Sequence, residues 1–258
     1  MATESLKKRV HELLKMAARE NETTLFRALL PFDDKEEWSY DDNSLLADIV
    51  LGGNAMLIGT WGEYFTQEQI SSAIILALNL KSDSQSAVFN KRKDIVAIKL
   101  YQILRNKESL VKYFEKRFKE HPDEFSNESV VEIVRFLQDK KLQVPLRDIK
   151  VTCIEHPVFL DALQNLVQIE KSEEPINVFW VLSHVKSYYT KAQHVEKLLQ
   201  ILADENVDWN AEHVKTPNVC NIVGLREGMT VLDYAKNMEN WEHKDLAVRL
   251  LEKRVKIQ

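Results

Sequence analysis

Apolar side chains recur every three to four residues along most of the chain, which is the spacing of amphipathic helices. In the first such stretch, a helix predicted over residues 4–19, five apolar residues share one face: Leu6, Val10, Leu13, Leu14 and Ala17. The same pattern predicts further helices at residues 24–30, 44–64 (in two pieces), 66–80, 94–105, 107–119, 126–138, 157–169, 175–189 and 190–202, with a closing pair within 227–255.

Local signals indicate where several of these helices begin. The Thr-x-x-Gln patterns at 66–69 and 190–193 are capping boxes, in which each side chain bonds to a backbone N–H at the helix start. Pro157 and Pro175 are predicted at first helical positions, where proline's missing N–H forfeits no hydrogen bond. The stretch 94–105 has only four polar residues, so a helix there is predicted to be buried on most sides.

Glycine is scarce and clustered: four of the six glycines lie between positions 52 and 62, and the others are at 224 and 228. Antiparallel β-sheets need glycine repeatedly in their turns, so this distribution argues against them. We therefore predict an all-α fold, either a helical solenoid or an irregular helical array. Gly52 and Gly53 predict a break between two short helices.

The composition is that of a folded soluble protein with one large domain or two small ones: 258 residues, 45% hydrophobic and 29% charged. A net charge of -5 gives no overall reason to expect nucleic acid or an anionic membrane as a partner. The most apolar windows, 45–61 and 70–80, are interrupted or too short to span a bilayer. Cys153 and Cys220 lack metal-ligand and disulfide spacing, and the N-terminus lacks a signal-peptide pattern, so a reducing, cytoplasmic location is predicted.

The segment 227–255 contains a turn, a short helix, a loop and a second helix, and it opens with Gly-Met-Thr-Val-Leu-Asp-Tyr-Ala. It resembles the ankyrin repeat, whose units open with Gly-x-Thr-Pro-Leu-His-x-Ala. The matching residues are Gly228, Thr230, Leu232, Ala235, His243, Leu250 and Leu251. Val231 and Asp233 stand where the family has proline and histidine.

The preceding segment, 177–211, is similar to a second unit of the same family, although its connection to Gly228 is longer and the repeat-ending glycine is missing. The resemblance implies ankyrin-like helical repeats over residues 151–258, after a helical region at 1–150. It also implies that Thr230 caps a helix. His194 and His243, at the starts of the second helices, are expected to support the loops by hydrogen bonds.

Ankyrin-like repeats imply that a protein partner is recognised, through the grooved face and through the long finger at 214–227. The finger is rich in apolar residues, which must fold back or meet a partner. The predicted partner-binding residues are Trp209, His213, Asn218, Ile222, Leu225, Arg226 and Trp241. For the two tryptophans, an interface anchor and a packing cap on an irregular loop are equal alternatives.

Two other functions stay open. The combination of divergent repeats with a helical N-terminal region resembles some bacterial effector proteins, which implies the host cytosol and an enzymatic site near residues 52–64. Alternatively, the basic residues within 91–119 are candidates for binding nucleic-acid phosphates, although interleaved carboxylates favour a solvated helix face.

No catalytic residue, metal site or cofactor is predicted, and an enzyme is the less favoured class. The glycines at 52–62 lack the Lys-Ser/Thr ending of a phosphate-binding loop. The acidic segment 32–43 lacks the glycine and the final glutamate of an EF-hand. Cys153 with His156, and Cys220 with His213, lack the flanking signature of a catalytic pair.

Overall fold

The chain is all-α, as its sequence predicts. The computed structural model describes residues 2–33, 45–82, 87–213 and 222–255. Within these ranges it contains fourteen α-helices, four short 3₁₀ turns and no β-strand beyond one isolated bridge. None of the described helices combines the length and apolar character needed to cross a bilayer. Two compact units divide the chain, Met1–Val144 and Pro145–Gln258.

The first unit is organised around its fifth helix. Its helices are α1 Ala2–Arg19, α2 Thr23–Leu29, α3 Leu45–Gly52, α4 Ala55–Trp61, α5 Gln67–Ser82, α6 Ala87–Ile103, α7 Glu108–Glu120 and α8 Asn127–Asp139. Helix α5 packs against α3, α6, α7 and α8. Its buried residues include Ile70, Ile74 and Leu78, with Ala73 and Ala77 between them, and the small alanines let neighbouring helices approach. The capping box at 66–69 opens this helix as predicted.

The glycine pair separates α3 from α4, which confirms the predicted break. Gly53 has φ +68, a conformation that side chains disfavour. At Gly52 an added Cβ would lie 2.1 Å from the carbonyl oxygen of Ala18, so α1 and α3 touch through backbone atoms. The Asn54 side chain then accepts a 3.2 Å hydrogen bond from the Leu57 N–H and caps α4.

One prediction about a buried face in this unit is wrong, and a second apolar face is only partly buried. In α1, Leu14 and Ala17 are buried as expected, but Leu6 and Leu13 are 63% and 46% exposed. In α6, predicted to be buried on most sides, Ile95 is exposed. The reason is coverage: α1 packs mainly on α2 and α3, and α6 mainly on α4 and α5, and the exposed residues lie away from these neighbours.

The second unit contains three successive helix pairs. They are α9 Leu146–Glu155 with α10 Leu160–Ile169, α11 Val178–Tyr188 with α12 Ala192–Ile201, and α13 Val231–Asn237 with α14 Lys244–Val255. The first helices of the pairs contact each other in order, α9 to α11 to α13. The second helices do the same, α10 to α12 to α14. Helix α9 lies where no helix was predicted.

Helix starts in the second unit are only partly as predicted. Pro157 opens a 3₁₀ turn, Pro157–Phe159, that leads into α10. Pro175 lies outside any helix, because Asn177 caps α11 by accepting hydrogen bonds from two backbone N–H groups, at 3.0 and 3.1 Å. The predicted capping box at 190–193 is wrong: α12 begins at Ala192 after Lys191, without a side-chain cap.

Candidate functional site

The base of the finger is held by backbone hydrogen bonds. An antiparallel bridge pairs Glu212 with Thr230. The His213 N–H donates to the carbonyl of Met229 at 2.9 Å, and the Gly228 N–H donates to the carbonyl of His213 at 2.9 Å. Gly228 has φ +76, so glycine suits this turn. The two chain segments that enter and leave the finger therefore lie side by side in a fixed register.

A tight turn exposes an apolar side chain on the returning side of the finger. The Leu225 N–H donates to the carbonyl of Ile222 at 3.1 Å, and Gly224 supplies the positive φ, +83, at the third turn position. Val223, at the second position, is 91% exposed. Ile222 and Leu225 are half-buried and Arg226 is exposed. The turn thus displays an aliphatic group next to a cation.

Aromatic packing supports the finger base from below. The His213 ring meets Phe179 of α11 edge to face, with 5.8 Å between centroids. Phe179 in turn packs against Tyr234 of α13 at 5.9 Å. Both Phe179 and Tyr234 are buried, so the histidine is anchored to the core of the second unit.

The helix after the finger begins as the resemblance implied. The Thr230 hydroxyl accepts from the Asp233 N–H at 3.1 Å, and the Asp233 carboxylate accepts from the Thr230 N–H at 3.2 Å. The Thr230 hydroxyl also donates to the Asp233 carboxylate at 2.7 Å. This bond, followed by the bond from the Thr230 N–H, lowers the pKa of Asp233. The reciprocal cap fixes α13 immediately beside the finger base.

The two predicted tryptophans are both buried. Trp209 is 3% exposed and packs with Leu199, Leu250 and Leu251 around a recess of about 10 Å³. Trp241 is 7% exposed. As placed, neither ring is available as an exposed anchor, and their arrangement favours the packing-cap alternative.

The loop between α13 and α14 contains two buried polar atoms without partners. Within the described residues, Trp241 Nε1 and His243 Nε2 have no hydrogen-bond partner. One ring nitrogen of His243, a residue expected to support the loop, therefore makes no hydrogen bond there. Trp241 also lines a shallow, open cleft of about 520 Å³ with Met238 and Glu242. Asn218, the remaining predicted site residue, lies outside the described residues.

Comparison with protein-family models, with curated proteins and with solved structures finds no match to this chain. Assignment of the site therefore depends on its geometry.

No motif in the sequence indicated the buried ion pair of the second unit. Lys150 of α9 and Glu205, in the segment after α12, contact each other with both side chains 0% exposed. Lys150 also donates to the Glu170 carbonyl at 2.5 Å. Glu205 accepts from the backbone N–H groups of Ser172 at 2.5 Å and Asn206 at 2.9 Å.

The ionised state of Glu205 is favoured despite its burial. Burial opposes ionisation, but hydrogen bonds from Lys150 and from the Ser172 and Asn206 N–H groups outweigh it and lower the pKa. One charged pair therefore ties α9 to the segment before α11 and to the segment after α12. Isolated charged residues in polar sequence give no signal for such a pairing.

An aromatic stack on α11 was also missed. The rings of Trp180 and His184 lie 5.4 Å apart, and those of His184 and Tyr188 lie 4.3 Å apart, with 24° between the planes in each case. Tyr188 is 62% exposed. The i, i+4, i+8 spacing of these three residues could have indicated this stack. The stack lies on the same helix as Phe179, which packs against His213 at the finger base.

The catalytic alternatives gain little from the geometry. Burial raises the pKa of the Cys153 thiol, which disfavours the nucleophilic thiolate, and the His156 ring meets Phe159 edge to face at 6.5 Å. Cys220 lies outside the described residues. Among the residues that are described, no three His, Cys, Asp or Glu side chains are grouped as metal ligands. The acidic segment lies outside the described ranges after Asp33.

The glycine-rich region of the first unit borders a cleft of about 610 Å³ lined by Gly59, Glu63, Phe65 and Arg105, among others. The Gln67 side chain, which also lines the cleft, is already engaged within the protein: its amide oxygen accepts from the Arg105 N–H at 2.6 Å. This cleft is the place where an enzymatic site of the first unit would lie. Among the described residues that line this cleft, no acid, base and nucleophile are joined by hydrogen bonds.

Several cations of the predicted basic region have structural roles. Lys93 is buried and donates to the carbonyls of Val50 and Leu51 at the end of α3. Lys107 donates to carbonyls at the end of α6. Arg117 forms two hydrogen bonds to Glu124, at 2.5 and 2.7 Å. These three side chains are engaged within the protein, which weakens the nucleic-acid alternative.

Proposed function

We propose that the second unit is a protein-recognition module that contacts its partner through the turn 222–226. The observation that carries this proposal is the 91% exposure of Val223 on a hydrogen-bonded turn whose base is anchored in the core. Burial of a solvent-exposed aliphatic side chain by a partner is favourable, because it removes apolar surface from water. Arg226 adds a cation beside it.

The binding mechanism is preorganisation. Hydrogen bonds at the finger base, the Gly224 turn and the His213–Phe179 contact hold this surface before the partner arrives. Little ordering entropy is then lost on binding, so more of the contact energy contributes to affinity. In this proposal Trp209 and Trp241 act beneath the surface as packing residues.

An ankyrin-like arrangement of 151–258 is part of the proposal. It is supported by the order of helix contacts, in which first helices meet first helices and second helices meet second helices. The capping box at Thr230 and the paired segments at the finger base are also consistent with it. The cytoplasm, of the producing cell or of a host, is the proposed compartment.

Affinity capture with a matched pair of variants tests this function. Val223→Asp places a charge at the turn, and Val158→Asp places the same charge at another valine of the second unit, which is 68% exposed. We expect the unaltered chain and Val158→Asp to enrich the same protein in stoichiometric amount, and Val223→Asp to lose most of it. Thermal unfolding of both variants checks that the fold is kept. Equal capture by Val223→Asp contradicts the proposal.

A further inference from the structure

Helix α6 has an outer face that no described element covers. On one flank, Arg92 and Ile103 of α6 lie against Gly53 and Gly62, at the two ends of α4. On the other flank, Tyr101 packs edge to face against Phe136 of α8, with 5.8 Å between centroids. Between these flanks the helix carries three exposed apolar side chains: Val88 at 66%, Ile95 at 43% and Ile98 at 40%.

The exposed residues follow a heptad pattern. Val88, Lys91, Ile95, Ile98 and Gln102 are spaced alternately three and four residues apart, which is the a and d spacing of a helix–helix seam. The seam runs for about 21 Å along α6 at a rise of about 1.5 Å per residue. The buried residues of α6, such as Val96 and Leu100, lie on the opposite side.

The charge along this seam has one sign. Lys91 lies within it, and Arg92 and Lys99 occupy the two e positions that flank it; all three are exposed. On the other flank α6 itself contributes one carboxylate, Asp94, which is half-buried and already has an interaction within the chain. A partner that faces this seam therefore meets aliphatic groups bordered by cations.

We propose that the outer face of α6 binds an acidic amphipathic α-helix of a partner protein. Apolar residues of that helix cover Ile95 and Ile98, and its carboxylates face Arg92 and Lys99. Charges at such flanking positions set partner choice and orientation in helix pairs. This site belongs to the first unit and does not depend on the recognition surface of the second.

The seam suits a helix better than a lipid surface. A helix that lies in a bilayer interface presents a wide apolar sector with bulky side chains, and its cations lie at the polar edge. Among the described side chains of α6, three aliphatic residues are exposed, and Lys91 lies between them. A narrow a/d stripe with one-sided charge is instead the complement of an acidic helix.

The direct test is binding of a synthetic helix to the full chain. The probe is a three-heptad peptide with leucine at a and d and glutamate at e and g, whose own charges oppose self-association. We expect fluorescence anisotropy to show saturable binding that weakens as salt rises. Ile95→Glu with Ile98→Glu should weaken it about tenfold or more, since apolar burial is lost. The control, Leu13→Glu with Met16→Glu on the exposed side of α1, should bind as the unaltered chain does.

A charge exchange separates specific pairing from general attraction. Arg92→Glu with Lys99→Glu should lose the glutamate peptide and gain a matching peptide with lysine at e and g. Lys112→Glu with Lys116→Glu on α7 changes net charge equally and should leave peptide preference unchanged. The proposal is overturned if the glutamate peptide does not bind, if the α7 variant behaves like the α6 variant, or if Ile95 and Ile98 matter only for binding to phosphatidylserine vesicles.

Discussion

At the scale of single residues, the contact between Lys150 and Glu205 places a fully buried ion pair in the second unit. Two charges with no exposed surface stabilise the fold only while both are present and hydrogen-bonded. The two residues and their hydrogen-bond partners lie on three separate segments of the chain. A substitution of either residue is therefore expected to disturb packing in all three of these segments.

Glu205→Gln is expected to lower the free energy of unfolding at pH 7 by about 3–5 kcal/mol, because it leaves the Lys150 ammonium buried without its counter-charge. The folded-state pKa of Glu205 lies below its ordinary value of 4.5, so the stabilisation is present above that value and is lost as pH falls through the folded pKa. Denaturant unfolding at a series of pH values measures this. Glu174→Gln, at the exposed pair with Arg147, is the control and should change stability by less than about 1 kcal/mol.

Two glycines of the first unit should respond in opposite directions to alanine. Gly52→Ala places Cβ 2.1 Å from a backbone oxygen of α1, so it should destabilise by about 1–3 kcal/mol or more. Gly59 lies inside α4 with no atom within 4 Å of an added Cβ, so Gly59→Ala should stabilise by about 0.5–1 kcal/mol. Thermal unfolding of the two variants compares them, and destabilisation by both would contradict the proposed difference.

At the scale of helices, the end of α3 is fixed by a side chain from another helix of the first unit. The ammonium of Lys93, on α6, caps the carbonyl end of α3 through Val50 and Leu51. Burial first, and nearby Arg92 second, lower the Lys93 pKa to about 8. A basic run in the sequence therefore contains one residue that serves as a helix cap.

The Lys93 cap gives the first unit a characteristic response to alkaline pH. The unfolded chain keeps this proton up to about pH 10.5, whereas the folded chain releases it near 8. Between these values the unfolded state binds more protons, so folding becomes more favourable as pH rises. We expect the stability of the unaltered chain, relative to Lys93→Met, to increase from pH 8 to pH 10. A pH-independent difference in denaturant midpoint would show that Lys93 does not titrate in this way.

Element predictions succeeded where the local pattern acted alone. The box at 66–69 caps α5, but the same pattern at 190–193 does not cap α12. The chain before 190 is already fixed, because Tyr189 is buried and its hydroxyl donates to the Ile154 carbonyl at 2.7 Å. Helix α9 escaped prediction because its buried side includes Lys150 and Thr152, which interrupt the apolar period.

At the scale of the whole molecule, the sequence is sufficient for the all-α fold. The two turn glycines and the apolar residues between 219 and 225 mark the finger in the sequence, although residues 214–221 lie outside the described ranges. The sequence is insufficient for the burial of the site's aromatic residues, because Trp209 packs not only with Leu199 of the preceding helix but also with Leu250, from a helix far along the chain. The exposed faces of α1 and α6 could not be predicted from the sequence for the same reason. Amphipathic spacing does not show which side of a helix packs against another helix.

Synthesis of the chain poses a problem at helix α5. This helix is apolar on several sides, and its partner α8 ends at Asp139, almost sixty residues after α5 ends at Ser82. At about 5–20 residues per second, a ribosome needs roughly 3–12 seconds to synthesise the chain from the end of α5 to the end of α8. During this interval, apolar side chains of α5 that α8 later covers are exposed on the nascent chain. A chaperone that acts near the ribosomal exit would therefore find its binding site on this protein at α5.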